Sequence, residues 1–123
     1  MVAIKLLFLT VFTLTNLLNG VILKEPEPLR GVQYVAAENR LKTALNKVID
    51  EDGPEFKLKI VYSVTNKEVS VSYLSVDTYN VDLFYEGTVR PCKVKIWTRP
   101  WTPWIVKGIK IVCDKNLQFE KDF

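Results

Sequence analysis

The chain has few residues that could catalyse a reaction. It contains no histidine, so a serine or cysteine nucleophile would lack its usual imidazole base, and a metal site is not expected. Three acids stand together at positions 50–52, a run that is typical of a solvated helix end. The five glycines are scattered and form no phosphate-binding loop. We therefore predict that the protein is not an enzyme and has no cofactor.

An aromatic segment at residues 97–104 holds all three tryptophans and two prolines. A tryptophan in an exposed loop indicates contact with a partner. Proline stiffens such a loop, so less entropy is lost on binding. Two of the three rings could equally belong to the core or the sheet surface, which fits Trp97 best. Trp101 is the predicted contact residue.

The N-terminus has the pattern of a secretory signal. Lys5 precedes an apolar run at residues 6–14, and the small residue Gly20 follows. The run is shorter than the roughly 20 apolar residues that cross a bilayer. We expect a signal peptide at 1–20 and one secreted, extracellular domain at 21–123. Cleavage would remove one lysine from a net charge of +3, which is too mild to indicate nucleic acid as a partner.

Cys92 and Cys113 are the two cysteines of the chain. In an oxidising compartment they allow one intramolecular pairing, and we expect a disulfide. Closing a loop of about 20 residues stabilises a fold by roughly 3 kcal/mol in the chain-entropy model.

The elements that must position these residues begin with an arm and a helix. Residues 24–28 carry two prolines and are predicted to be an extended arm rather than a packed element. From Tyr34 to about Glu51, apolar residues recur at helical spacing. Asp52-Gly53-Pro54 ends the helix, because glycine tolerates a positive φ and proline cannot continue a helix. The apolar stripe consists of Tyr34, Ala37, Leu41, Ala44, Leu45, Val48 and Ile49.

Beyond the helix, apolar and polar residues alternate, as in strands. The first run places on one face Phe56, Leu58, Ile60, Tyr62 and Val64. A polar break at 65–68 leads into a second run, whose parity slips at 74–77 and predicts a β-bulge. A turn at 86–87 separates this run from strands at 89–98 and 105–113. The pattern predicts an α+β fold in which the helix lies across an antiparallel sheet.

Several segments match a known family. They are Leu29-Arg30-Gly31, Ala37-Glu38 with Leu41, Asp52-Gly53-Pro54, and Ser63-Val64-Thr65-Asn66. The most specific is Cys-Lys-Val-Lys-Ile-Trp-Thr-Arg-Pro-Trp from Cys92 to Trp101, followed by Cys113. On these residues the chain resembles the secreted cystatins, especially the insect type with a single disulfide. The resemblance implies a cystatin-like fold, one long helix wrapped by a four- to five-stranded antiparallel sheet.

The resemblance also implies a function: reversible, noncovalent inhibition of papain-like cysteine proteases of the cathepsin type. In that family an N-terminal arm and two hairpin loops form a wedge that fills the active-site cleft. The Pro-Trp pair of the second loop is matched by Pro100 and Trp101. The first loop normally reads Gln-x-Val-x-Gly, of which only the valine is kept here. The residues predicted for it are Lys67, Glu68, Val69, Ser70 and Val71.

The departures in the first loop keep other functions open. Val71 stands where the family has glycine, and a β-branched residue is costly at positive φ. Lys67 and Glu68 bring charge to a tip that would be desolvated on docking. The glycine expected before Pro26 in the arm falls near Lys24. The alternative is a non-inhibitory, secreted binding or structural protein with the same fold.

A third hypothesis is action at membrane surfaces by the basic, tryptophan-rich stretch at 93–110. The alternation there fits paired strands better than an amphipathic helix, so no stable membrane association is expected. We expect a monomer. The resemblance also allows a dimer formed by strand exchange through the first loop.

Overall fold

The computed structural model of the protein describes residues 27–123. The predicted signal peptide and residues 24–26 of the predicted arm lie outside the described residues. One helix and six strands follow in chain order, and the strands form one antiparallel sheet in which each pairs with its neighbours in sequence. The elements are β1 Glu27–Pro28, α1 Val32–Asp50, β2 Lys57–Val69, β3 Leu74–Tyr85, β4 Thr88–Arg99, β5 Thr102–Cys113 and β6 Gln118–Asp122.

This α+β arrangement of one helix on an antiparallel sheet confirms the predicted fold class, but the sheet has six strands rather than four to five. One additional strand is β1, in which Glu27 and Pro28 pair with Asn66 and Thr65. The end of the predicted arm is therefore part of the sheet. The other is β6 at the opposite edge, whose mostly exposed, charged sequence carries no clear apolar alternation.

Helix α1 packs its predicted stripe against the sheet. The side chains of Ala37, Leu41, Ala44, Leu45 and Val48 are buried. Tyr34 and Ile49 are half-buried at the margins of the stripe. The 3.6-residue period of apolar positions thus places the helix on the inner face of the sheet, as predicted.

The helix ends at the predicted place, but the residue that adopts the positive φ differs from the predicted one. Asp52, not Gly53, takes the positive φ, at 63°. Short polar aspartate is one of the few residues other than glycine that tolerates this region. Gly53 instead allows close approach: its N–H donates to the carbonyl oxygen of Val48 at 2.8 Å, and a Cβ there would clash with Val48.

Strand β2 faces the helix differently from the prediction. Its register against β3 shifts between Leu58 and Ile60 and again between Val61 and Ser63. Each shift turns the following residue to the other face. Ile60 is therefore 40% exposed and Tyr62 62% exposed, so their predicted inward facing is wrong. Leu58 and Val64 face inward as predicted, and Val61 is the inward residue between them.

The β-bulge predicted at residues 74–77 is also absent, because β3 pairs without a break with β4 over this range. The predicted polar break at 65–68 lies within β2, and the chain turns instead at residues 70–73. A turn resets which face the residues of the next strand occupy. The change in which positions are apolar, seen near residues 74–77, therefore results from the hairpin turn at 70–73 and not from a bulge.

The disulfide forms between the expected cysteines. Cys92 and Cys113 are opposite each other in β4 and β5, and their sulfurs are bonded. Both are buried against the core at the end of these strands that lies away from the 100–101 turn. The bridge thus fixes the base of the hairpin that presents Pro100 and Trp101.

Gly108 in β5 lies under the indole of Trp97, its partner in β4. A Cβ at this position would overlap the ring. We expect Gly108→Ala to lower the free energy of unfolding by about 1–3 kcal/mol, because the indole cannot shift without losing its packing. Urea denaturation measures the change. Combining Gly108→Ala with Trp97→Val should recover part of the loss, and a purely additive double variant would contradict the steric explanation.

Candidate functional site

The two hairpin turns predicted to form the site lie at the same end of the sheet. The first turn comprises Ser70–Tyr73 and joins β2 to β3. The second comprises Pro100 and Trp101 and joins β4 to β5, with Arg99 opposite Thr102. Ser75 at the start of β3 pairs with Thr98 at the end of β4, which brings the two turns side by side. The antiparallel pairing of strands β2 to β5 therefore places both turns at one end of the sheet.

The first turn is a four-residue loop closed by the pairing of Val69 with Leu74. The Tyr73 N–H donates to the carbonyl oxygen of Ser70 at 3.3 Å, and Tyr73 takes a positive φ of 54°. Val71, at 71% exposed, is the most prominent apolar side chain of the turn. Because the positive φ falls on Tyr73, Val71 avoids the backbone cost expected where the family has glycine.

The structure separates the five residues predicted for the first loop. Lys67, Glu68 and Val69 belong to β2, where they pair with residues 76, 75 and 74 of β3. Only Ser70 and Val71 lie in the turn. The two charges therefore stand back from the tip, which removes much of the desolvation cost expected for them.

The second half of this turn, Ser72 and Tyr73, was not among the predicted site residues. Tyr73 is 65% exposed, and its ring centroid lies 6.5 Å from that of Trp101 at an interplanar angle of 56°. This separation is within the range of tilted aromatic pairs. Residues 69–75 largely alternate apolar side chains with serine, a pattern that does not distinguish a turn from a strand.

A guanidinium group joins the two turns. Arg99 Nη1 donates to the carbonyl oxygens of Ser72 at 2.9 Å and Tyr73 at 3.4 Å. These bonds connect the end of β4 to the turn between β2 and β3, so the turns are fixed relative to each other. We define the hairpin-tip surface as Ser70–Tyr73 with Pro100 and Trp101. It carries no charged side chain.

The three tryptophans have different positions. Trp101 is 62% exposed on the hairpin-tip surface, as predicted for a contact residue. Trp97 is half-buried over Gly108, which agrees with the expectation of a sheet-surface ring. Trp104, which was not a predicted site residue, is 70% exposed beside Pro103 and the outward side of α1.

The arm lies beside the first turn. Glu27 and Pro28 pair with β2 near its end, and the Leu29 N–H donates to the Val64 carbonyl oxygen at 3.0 Å. Leu29 is half-buried against the core. Because the arm runs antiparallel to β2, Glu27 lies nearer to the first turn than Pro28 does.

A buried polar cluster lies near this end of the sheet, between the helix and the inner face. Asp77 in β3 is 2% exposed and accepts hydrogen bonds from Arg40 Nε at 2.9 Å and Asn66 Nδ2 at 2.9 Å. Arg40 Nη2 lies 2.8 Å from the same Asp77 oxygen, Oδ2. The cluster therefore ties α1 to β2 and β3 at the level where the arm pairs with Asn66.

Tyr79 completes the cluster. Its hydroxyl donates to the Ala37 carbonyl oxygen at 2.7 Å and lies 3.2 Å from Asp77 Oδ2. Burial, followed by the negative charge of Asp77, raises the pKa of the phenol above its ordinary value of 10.0. The phenol thus remains protonated in the folded protein where an exposed tyrosine would ionise.

This shift in pKa predicts a loss of stability in alkali. Below pH 10 the Tyr79 phenol is protonated in both states, and its contribution to stability is complete. Above pH 10 only the unfolded chain releases the proton, so folding weakens by up to about 1.4 kcal/mol per pH unit. We expect the stability difference between wild type and Tyr79→Phe to shrink from pH 8 to 11 in urea titrations. Parallel declines of the two proteins would contradict this assignment.

Within residues 27–123, no three side chains of the metal-binding types lie together, and no helix is long and apolar enough to cross a membrane. The hairpin-tip surface offers exposed apolar side chains, Val71, Tyr73 and Trp101, for contact with a partner.

Two relatives match the chain. A cystatin-like protein from Drosophila melanogaster is 36% identical over 85 residues, which cover 69% of this chain and 65% of the relative. Sarcocystatin-A from Sarcophaga peregrina is 34% identical over 87 residues, 70% of this chain and 66% of the relative. Each match spans just under two thirds of the relative's own length. No protein-family model and no solved structure matches the chain.

A single helix packed on an antiparallel sheet, with two hairpin turns side by side at one end, is a fold of the cystatin type. The two relatives, at 34–36% identity over about 70% of the chain, support an insect-type cystatin family for this protein.

Proposed function

We propose that the protein is a reversible, noncovalent inhibitor of papain-like cysteine proteases. The observation that supports this most is the contact between the two turns: Arg99 bonds to the backbone of the first turn, and Tyr73 pairs with Trp101 across them. The result is one surface with prominent apolar side chains at an exposed end of the sheet, uncharged apart from the Arg99 guanidinium that joins the turns. Such a surface suits a cleft from which water is displaced on binding.

Inhibition would follow from geometry. A protease cleaves a peptide that lies extended across its catalytic residues, whereas both turns here fold back within two or four residues. Their backbone cannot be drawn into an extended pose without breaking the adjacent strand pairs. The turns would therefore occupy the cleft without being cut, and the complex would be held by noncovalent contacts.

The fixed position of the turns would favour affinity. Association loses free energy when loops and side chains become ordered, at about 0.5–1.5 kcal/mol per immobilised side chain. The bonds from Arg99, the ring of Pro100 and the disulfide at the base of the hairpin order the second turn before binding. The proposed contact residues are the hairpin-tip surface, with Lys67, Glu68 and Val69 of β2 lining one side.

The test is a titration of the disulfide-bonded protein, residues 21–123, against papain and a cathepsin with a fluorogenic substrate. We expect full recovery of protease activity on dilution, and no cleavage of the protein by mass spectrometry. A folded monomer that leaves both proteases fully active at micromolar concentration would contradict the proposal. Size-exclusion chromatography would test the proposed monomer against a strand-exchanged dimer.

A second candidate is a secreted binding protein that does not inhibit proteases. It is favoured by the first turn, where Tyr73 and Val71 project from a loop without the family's glycine. A bulky first turn could prevent the second from reaching the floor of the cleft. Affinity capture from the secretion that contains the protein would distinguish the candidates, since this one requires a stable partner other than a protease.

We also propose that residues 1–20 are a secretory signal and that 21–123 form the extracellular protein. The disulfide between Cys92 and Cys113 supports an oxidising compartment. Expression in insect cells with the complete sequence would test this. The protein should appear in the medium with its N-terminus near residue 21.

A further inference from the structure

The outer face of the sheet, away from the helix, carries a group of lysines. Lys93 and Lys95 in β4 and Lys110 in β5 are exposed, and the residues between and beside them are buried on the inner face. Together with Val112 they line one shallow depression. We name Lys93, Lys95 and Lys110 the lysine surface. It plays no part in the proposed protease contact.

The lysine surface places like charges together. Lys95 and Lys110 are directly opposite each other in the register of β4 and β5. Opposite residues on one face of an antiparallel pair have Cβ atoms about 4.5–5.5 Å apart, and like charges in this position are destabilising. Lys93 adds a third cation about 6.6 Å along the strand. Folding alone gives no reason for this arrangement.

Neighbouring acidic side chains form no close ion pair with these lysines among the described residues. On the β3 side, Lys95 faces Thr78 and Lys93 faces Asn80, both uncharged. On the β6 side, Glu120 is opposite Lys110 in register. The ion pairs found among residues 27–123 nevertheless include none of the three lysines. Among the register partners of the three lysines, Glu120 is the one acidic residue, so three cations stand against one carboxylate on an open surface.

We infer that the lysine surface binds a linear sulfated polysaccharide. A flat face cannot enclose a single small anion, and one exposed ion pair contributes little. A polymer that carries an anion at each repeat can instead contact all three lysines and release several bound counterions. The hydroxyl of Thr78 and the amide of Asn80 lie beside the cations, where they can bond to sugar hydroxyls.

Other polyanions fit less well. A membrane surface is bound best where large apolar side chains stand beside the cations and insert, but Val112, the apolar residue of the depression, is half-buried. Nucleic acid binding usually depends on more positive charge than the net +3 of this chain.

The surface is held rigid and lies apart from the hairpin tip. Lys93 directly follows Cys92, whose disulfide to Cys113 joins β4 and β5. Lys95 is five residues before Pro100, which corresponds to about 16 Å along the strand. A polysaccharide and a protease could thus bind at the same time, and the inference does not depend on the proposed inhibition.

The test uses heparin as the probe and the disulfide-bonded protein with Lys95→Gln and Lys110→Gln together. We expect the double variant to bind heparin at least about tenfold more weakly and to lower the slope of log affinity against log salt by about 2. The matched control is Lys42→Gln with Lys115→Gln, which removes equal charge from exposed sites in α1 and the turn before β6. It should retain the wild-type slope and most of the affinity.

Thermal unfolding keeps the result interpretable, because removing two opposed like charges should leave the melting temperature unchanged or raised. Equal loss of heparin affinity in both double variants would overturn the inference, since it would show a response to net charge alone. Tighter binding to anionic vesicles or duplex DNA than to heparin would also overturn it, as would failure of the wild type to bind heparin at physiological salt.

Discussion

Replacing Asp77 with alanine is expected to lower the free energy of unfolding by about 3–5 kcal/mol. The carboxylate is 2% exposed and receives hydrogen bonds from Arg40 and Asn66. Its removal leaves a guanidinium that is largely enclosed, since the Arg40 side chain is only 18% exposed. A buried cation without its counterion loses hydration that nothing replaces. Urea denaturation at pH 7 measures this change.

Asp82→Ala is the matched control for this prediction. Asp82 lies in the same strand, and its one side-chain hydrogen-bond partner among residues 27–123 is the exposed Tyr62 hydroxyl, at 2.6 Å. An exposed interaction of this kind contributes little, so the change should stay within about 1 kcal/mol. Arg40→Met combined with Asp77→Ala should lose less than the sum of the single changes. Strict additivity would show that the two side chains do not act as a pair.

The consequences of Asp77→Ala would extend to the arm. Asn66 bonds to Asp77 through Nδ2 and also pairs with Glu27 of the arm. We therefore expect faster amide exchange at Leu29, whose N–H donates to β2 close by. The buried ion pair thus connects the stability of the helix-sheet packing to the placement of one segment of the proposed wedge.

Much of the fold could be predicted because its signals are local. The stripe of α1 follows from its 3.6-residue period, and the turn at 86–87 follows from glycine between two alternating runs. The outward orientation of Ile60 and Tyr62 could not be predicted, because it depends on two register shifts of β2 against β3. Register is a property of a strand pair, and a regular alternation within one strand does not contain it.

The candidate site likewise contains some residues that local sequence patterns predict and others that only long-range contacts place. The residue types of Pro100 and Trp101 predict an exposed loop, and the structure places both in a turn, while their contact with a partner stays a prediction. Asp77 gave no signal, because an aspartate in an alternating strand is expected to face solvent. It is buried only because Arg40, 37 residues away in sequence, meets it. The bond from Arg99 to the first turn is likewise set by strand order, which no local pattern encodes.

These long-range contacts also decide how the degenerate first loop should be interpreted. In a sequence comparison, residues 67–71 keep only the valine of the family's Gln-x-Val-x-Gly motif and lack its glutamine and glycine. In the folded protein the charges of Lys67 and Glu68 are held in β2, and the turn closes through a positive φ at Tyr73. Val71, which replaces the family's glycine, therefore does not have to adopt a positive φ. What changes is the shape of the tip, which becomes wider and more aromatic.

Trp101→Ala is the change expected to weaken protease inhibition most. Trp101 is 62% exposed in the free protein and is the largest apolar side chain of the hairpin-tip surface. Truncating a tryptophan at the centre of an interface typically loses 2 kcal/mol or more of binding free energy, and 1.4 kcal/mol is tenfold. We therefore expect the inhibition constant for papain to rise about 30-fold or more. Progress curves at several inhibitor concentrations would measure it.

Trp104→Ala provides a control of the same residue type and similar exposure, three residues further along the chain. Trp104 lies toward α1 and outside the hairpin-tip surface, so its removal should change the inhibition constant less than about fivefold. Both variants should keep wild-type stability, because neither ring is buried. Equal effects of the two changes would mean that the aromatic character of the whole segment is recognised. A Trp101→Ala variant as potent as wild type would remove the second turn from the wedge.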